Sequence, residues 1–377
     1  MNERWLRPQR DGWREVGIAL SLAAIYLLVL INTVGELGYA RDEGFYFDAA
    51  ASYQRWFELL WRDPTRALRD VDLYWRHNHE HPAFIKSLFA LSHLWLHDRL
   101  GLFAANEGSS YRFAAMLLSA LGVGLVYLWG ARARGRLVGL VAAGSLAAMP
   151  RFFFHAHLAC FDTPVVTMWT WCAYCWWRAL DRGGLQRMVL VGLTFGLALN
   201  SKHNSWFLPI VCVSHAMALQ LPGVARGIDR ERLTRRASAA LLSMATLGPL
   251  LLYATWPWIW HHTIVRLQAY ATFHLSHVYY NMEFMGRNYF EPPMPRAYAF
   301  VMTLATVPAI TLLCFASGLW TSVGTLLRRV ARPMTATTRS DPGTELLWLL
   351  AMGVQYAAWL REGTPIFGGT KHWMTAY

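Results

Sequence analysis

Charge is scarce in this chain. Of its 377 residues only 15% are Asp, Glu, Lys or Arg, while 55% are hydrophobic. Soluble domains carry about 25% charged residues, so an ordinary soluble globular protein is excluded and an integral membrane protein is expected. Cysteine is scarce as well: Cys160, Cys172, Cys175, Cys212 and Cys314 all lie in or beside apolar runs, and nothing suggests a disulfide framework. Cys172-x-x-Cys175 reads as packing inside a span, with a redox or metal pair as the alternative. Acids are fewer than bases, 23 against 35, for a net charge of +12. The Arg clusters fall between apolar runs, so topology and anionic headgroups or phosphates explain the excess better than nucleic acid does. No small-residue cleavage site follows the first apolar run, which reads as a retained span and not a removed signal peptide.

What the chain does have is apolar length. Runs fit to cross a bilayer lie at 16–34, 112–131, 137–150, 163–180, 185–200, 205–221, 237–259, 297–320 and 345–360. A tenth run, 82–96, is short and contains Lys86 and His93. The Arg-rich stretches at 131–136, 181–187, 224–236 and 327–333 decide its status. If 82–96 does not cross, all of them fall on the same side as the Arg-rich N-terminus, as the positive-inside rule requires. The expectation is one all-α transmembrane domain over residues 1–377 with about nine spans. Its first outer loop, 35–111, would hold interfacial helices at 44–62 and 82–96, and a later outer loop would run over 260–296. The apolar positions Tyr46, Ala49, Ala50, Tyr53, Phe57 and Leu60 give 44–62 a helical period.

This topology gathers the remaining polar residues on the outer side, away from the Arg clusters. In "GYARDEGFYFDAA" (38–50), adjacent Asp42 and Glu43 either cap the following helix or place a general base at the membrane face. "WRHNHEHPAF" (75–84) crowds His77, His79, Glu80 and His81, a set that suits a divalent metal or a solvated loop. "MPRFFFHAHLACFDTPVV" (149–166) contains Arg151, fit to hold a phosphate, and Asp162, which is a helix cap or a second site acid. Lys202 and His203 stand in the tight turn "LNSKHNSW" (199–206), costly unless used or solvated. His274 and His277 lie three apart, on one face if the segment is helical.

Taken together, these motifs resemble the GT-C membrane glycosyltransferases, in the branch of protein O-mannosyltransferases and aminoarabinose transferases. "RDEGFYFDAA" is similar to that family's acidic motif in the first outer loop, "HEHPAF" to its His-Pro segment, and "YRFAAMLLSALGVGLVYL" to its next span. "ACFDTPVV" resembles the second acidic site, "GLALNSKHN" the following turn, and "RNYFEPPMPRAYAFVMTLATVPAI" the later loop and span. The resemblance implies a GT-C fold and an inverting transfer from a polyprenyl-phosphate sugar to a glycan, lipid or protein acceptor on the outer face of a bacterial inner membrane. It makes Asp42 the catalytic base, with Glu43 beside it and Asp162 a second acid. It turns Arg112, Arg151 and Lys202 toward the donor phosphate. It places Glu80 and His277 where some members hold a metal, with His81, His203 and His274 nearby. The His-rich loops permit a divalent cation without demanding one. Two departures are Pro82-Ala83, where many members have two prolines, and the ending "GGTKHWMTAY", which in relatives leads into another span and suggests a truncated chain. The rival readings are a transporter or flippase of lipid-linked sugars, which expects ionisable groups near mid-membrane, and a non-catalytic membrane subunit.

Overall fold

The computed structural model of the chain describes residues 12–225, 228–331, 341–366 and 368–377. Residues 1–11 of the basic N-terminal stretch and much of the polar loop 327–345 thus fall outside the described residues. The helices, in chain order, are α1 (Trp13–Thr33), α2 (Arg41–Arg62), α3 (Pro64–Arg69), α4 (Val71–Trp75), α5 (Phe84–His93), α6 (Glu107–Arg134), α7 (Arg136–Ala147) and α8 (Pro150–Ala156). They continue as α9 (Asp162–Arg182), α10 (Leu185–Leu199), α11 (Leu208–Ala218), α12 (Arg230–Thr255), α13 (Thr263–Leu275), α14 (Tyr298–Thr306), α15 (Ala309–Ala331) and α16 (Thr344–Ala357). The expected all-α membrane fold is present. It is interrupted by one small antiparallel hairpin in the later loop, β1 (Met282–Phe284) and β2 (Arg287–Tyr289), whose tip places Met285 and Gly286 at φ 52° and 75°.

The spans are less uniform than nine crossings would be. Among the described residues, four segments are long and apolar enough to cross alone: 13–36, 107–134, 230–255 and 309–328; α7 and α8 add a fifth if the pair, bent by 67°, counts as one. α10 has 15 residues and α16 has 14, or about 22 Å of rise at 1.5 Å per residue, short of a hydrocarbon core of about 30 Å. The apolar run 297–320 is two helices, α14 and α15, broken at Val307 and Pro308, because the ring of Pro308 disfavours helical backbone at the residue before it.

α6 and α9 form the centre. α6 packs against α1, α5, α7 and α9, and α9 against α6, α10 and α12. Small residues let these helices approach closely, as membrane packing favours: Gly130 of α6 lies against Gly139 of α7, where a Cβ would come within 2.8 Å of backbone. α9 is apolar or aromatic along much of its length and buried on nearly every side, with Trp169, Trp176 and Trp177 at 2% exposure or less. The run 82–96 becomes α5 followed by a π-helical turn at 94–99, and α5 packs between α2 and α6 with Ile85, Lys86 and Phe89 fully buried.

The C-terminal end of α6 is tied by arginine. Arg136 at the start of α7 donates to Glu15 Oε1 at 2.6 Å, and Tyr127 donates to Glu15 Oε2 at 2.7 Å. Arg134 pairs with Glu345 at the start of α16. Arg236 of α12 donates to the carbonyls of Leu180 and Asp181, which close α9. These are the positions of three of the four predicted Arg-rich loops, and they gather at one end of the bundle. The site described next lies at the other end.

Candidate active site

A cavity of about 800 Å³ opens where the N-terminal ends of α2 and α9 meet the C-terminal end of α10. Asp42, Glu80, His81, Asp162, Lys202, His203, His274 and His277 all line it, brought together from five separate stretches of sequence. Each is held by local chemistry. Asp42 stands in the first turn of α2, where a carboxylate is favoured by the helix dipole. Glu43, next along, reaches back to the Ala40 amide at 2.8 Å and caps that helix. In the turn after α10, Asn200, Ser201 and Ser205 bond to the carbonyls of Gly196, Leu197 and Ala198 at 2.7 to 2.9 Å. The helix end is thereby satisfied without water, and Lys202, 5% exposed, projects from it.

Two lysine–aspartate pairs cross the cavity. Lys202 Nζ meets Asp162 Oδ1 at 2.5 Å, and Lys371 Nζ meets Asp42 Oδ2 at 3.1 Å. Burial opposes the charge on Lys371, but Asp162 and Asp42 outweigh it and raise its pKa above the ordinary lysine value. Lys371 comes from the tail. Gly368 and Gly369 take φ near +65°, and a side chain on Gly368 would occupy the space that Lys371 uses. Asn204 donates to the His372 carbonyl at 2.7 Å, and Trp373 is fully buried against Tyr298 and Trp359. The tail is therefore one wall of the cavity.

The histidines form a second wall. His203 stacks on His274 with ring centroids 4.2 Å apart, and His81 lies 5.4 Å from His274. His274 Nε2 bonds to the Glu80 carbonyl at 2.9 Å. Burial, reinforced by neighbouring imidazoles and lysines, lowers the pKa of His81 and His203 well below the ordinary value, and burial lowers that of His274 to about 4. All three are neutral at pH 7. Beneath them Lys86 is fully buried. It donates to Asn78 Oδ1 at 3.2 Å and to the His81 carbonyl at 3.0 Å, so it holds the loop that carries Glu80 and His81. Burial brings its pKa down to about 7.

Several expectations are corrected. Glu43 and Arg112 do not reach the cavity. Arg112 is fully buried and donates Nε and Nη2 to the two oxygens of Glu43 at 2.7 Å each, and to the carbonyls of Leu37 and Gly38. Glu43 also accepts the Ala159 amide at 2.9 Å. The pair ties α2, α6 and the turn before α9 together, and its donors and acceptors are consumed in doing so. Arg151 is exposed at the start of α8 and does not line the cavity. His274 and His277 do not share a helical face, because α13 ends at Leu275; both are half-buried. Glu80 Oε1 accepts from Asn78 at 2.7 Å and His277 Nδ1 contacts the Val278 carbonyl at 2.9 Å. Among the described residues, the one convergent group of three possible metal ligands is His155, Cys160 and Asp162, which shares only Asp162 with the cavity lining.

Lys371 was not singled out as a site residue. A signal was present: of the 35 basic residues only Lys86, Lys202 and Lys371 are lysine. Two line the cavity and the third supports its loop.

The segment 90–253 matches the family described as dolichyl-phosphate-mannose-protein mannosyltransferase. It includes Arg112, Asp162 and Lys202, and leaves Asp42, Glu80 and Lys371 outside. Among solved structures, ArnT from Cupriavidus metallidurans bound to undecaprenyl phosphate is similar at a TM-score of 0.53 and 16% identity, over 91% of this chain and 60% of that one. The chain thus spans about 60% of that protein's length. No curated protein sequence matches it. The chain thus shares the fold of that structure, all-α with several helices apolar enough to span a membrane, and the family match covers its central segment alone.

Proposed function

We propose that this chain carries the catalytic site of an inverting glycosyltransferase, which moves a sugar from a polyprenyl-phosphate donor to an acceptor hydroxyl. The observation that carries the reading is the pair of lysine–aspartate contacts across one cavity at one end of the bundle. Lysine and aspartate in contact are each other's stand-ins. A donor phosphate brought between Lys202 and Lys371 replaces Asp42 as the partner of Lys371 and adds a second anion to Lys202. Asp42, 49% exposed on its side chain, is then released to accept a proton.

The transfer follows. The acceptor oxygen attacks the anomeric carbon from the face opposite the phosphate as Asp42 takes its proton. The bond from that carbon to the phosphate oxygen breaks, and the electron pair leaves with the polyprenyl phosphate. The leaving group is already a good one, so the main electrostatic task is to stabilise charge growing on phosphate, which Lys202 and Lys371 perform. Asp162 keeps Lys202 aimed into the cavity. The neutral imidazoles of His81, His203 and His274, with the Glu80 carboxylate, offer hydrogen bonds to sugar and acceptor hydroxyls. Glu80 and His277 do not present a three-ligand metal set, and no step is assigned to a metal there.

The similar crystal structure holds undecaprenyl phosphate, which supports a lipid-phosphate donor. The positive-inside rule favours placing the arginine end in the cytoplasm and the cavity on the outer face of a bacterial inner membrane. The ionisable cluster lies at one end of the helices and not midway along them, which favours a transferase over a transporter. The test is transfer of a radiolabelled sugar from polyprenyl phosphate by the purified protein in lipid nanodiscs. Asp42→Asn should retain donor binding and lose transfer. Full transfer by that variant would remove Asp42 from the role of base.

A further inference from the structure

The stretch "HAHLACFD" turns the chain from α8 into α9. It brings together three side chains that the proposed transfer uses only in part. His155, Cys160 and Asp162 have ligand atoms within 4.8 Å of one another. All three are buried, at 8%, 6% and 6% exposure. His155 Nδ1 has no hydrogen-bond partner. It faces Asp162 Oδ2 at 3.6 Å, which is too long for a hydrogen bond. A tetrahedral zinc ion with bonds of about 2.0–2.3 Å separates its ligands by about 3.3–3.6 Å, so that gap is of the right size for two ligands of one ion. The thiol of Cys160 closes the third side, with only a weak contact to the His155 carbonyl at 3.5 Å.

We propose that His155, Cys160 and Asp162 bind a thiophilic divalent cation of the zinc class at the edge of the cavity. Imidazole, thiolate and carboxylate are the ligand types such an ion takes. On metal entry Cys160 gives its proton to solvent and binds as thiolate. Thiolate and carboxylate together cancel the charge of the ion. The second oxygen of Asp162 stays with Lys202, whose contact is to Oδ1. Two ammonium groups near Asp162 disfavour a hard cation held by carboxylate alone, so Mg²⁺ is not retained. Three protein ligands leave a fourth position open.

The test uses the full chain in detergent micelles with Cys314, the exposed cysteine, replaced by serine. Titration with Co²⁺ should give a thiolate-to-cobalt charge-transfer band that saturates at one equivalent, is abolished by Zn²⁺, and is unaffected by Mg²⁺. Cys160→Ser should abolish the band. His155→Gln should weaken cobalt binding by at least about 100-fold, at or beyond the upper limit for loss of an outer-shell partner. Cys212→Ser, a buried thiol on α11, should leave the band intact. X-ray absorption of the zinc-loaded Cys314→Ser chain needs no variant at the site. It should show one sulfur at about 2.3 Å among nitrogen and oxygen ligands. A missing band, a band that survives Cys160→Ser, or a sulfur-free zinc shell would overturn the site. These readouts use neither donor nor acceptor, so they succeed or fail separately from the transfer assay.

Discussion

The arginine end of the bundle and the cavity at the other end both rest on buried or half-buried ion pairs, yet the pairs lining the cavity use a different cation. At the arginine end Arg134, Arg136 and Arg236 lock helix ends to Glu15, Glu345 and backbone carbonyls. At the cavity end Lys202 and Lys371 meet Asp162 and Asp42. A guanidinium is a rigid fork that holds its charge and fixes geometry, whereas an ammonium is a compact point charge on a flexible stem. The first suits a joint that must not open. The second suits a contact that can change partner, as the proposed binding of a phosphate requires. The neighbours Asp42 and Glu43 show the contrast within one helical turn: Glu43, 1% exposed, is forked by Arg112, and Asp42 meets the single ammonium of Lys371.

The largest effect should come from breaking the fork beside the cavity. Arg112→Met leaves Glu43 buried and unpaired, which costs about 3–5 kcal/mol. Thermal unfolding in detergent should show a drop of many degrees, and the double variant with Glu43→Gln should recover part of it. Asp42→Asn should do the reverse. Its melting temperature should stay near that of the wild type while single-turnover transfer falls by about 10²–10⁴-fold, the usual worth of a general base. Lys371→Ala and Lys202→Ala each remove a charged hydrogen bond worth about 1.5–3 kcal/mol. Donor-lipid affinity, read by tryptophan fluorescence or a spin assay, should weaken by about 10–100-fold, and Lys→Arg should not restore it fully. The smallest effect concerns pH. The folded pKa of His274 is about 4, below the unfolded value of about 6.5, so the unfolded chain binds that proton more tightly. Stability is then complete above pH 6.5 and is lost as pH falls toward 4. His274→Gln should lessen the decline in melting temperature between pH 7 and 5, by an amount worth about 2 kcal/mol at most.

Much of the site was legible because a partition of charge is a one-dimensional property. Placing the Arg clusters on one side put Asp42, Glu80, Asp162, Lys202, His81, His203, His274 and His277 on the other, and these line one cavity. The helices α1, α2, α6 and α9 were legible from apolar period and length. The union of Glu43 with Arg112 was not, since it joins positions 69 residues apart and an acid beside another acid carries no mark of which one turns inward. The break at Pro308 was signalled by the proline and hidden by an unbroken apolar run. The hairpin at 282–289 was signalled only by Gly286 after Met285, in a stretch read as loop. Lys371 was hidden by its distance in sequence from Asp42, Glu80, Asp162, Lys202 and His274. Its tail is held by Trp373 and by Asn204, contacts that no local pattern announces.

The economy in lysine also has a practical side. An amine-directed reagent has three side-chain targets in this chain besides the terminal amine, and each belongs to the cavity or the loop beneath it. Lys86 is fully buried, and Lys202 and Lys371 are each engaged by a carboxylate. Acylation mapped by peptide mass spectrometry therefore becomes a footprint of one compartment. Labelling rates at Lys202 and Lys371, compared with and without a lipid phosphate, follow the exchange of ion partners directly in a protein bearing no engineered probe.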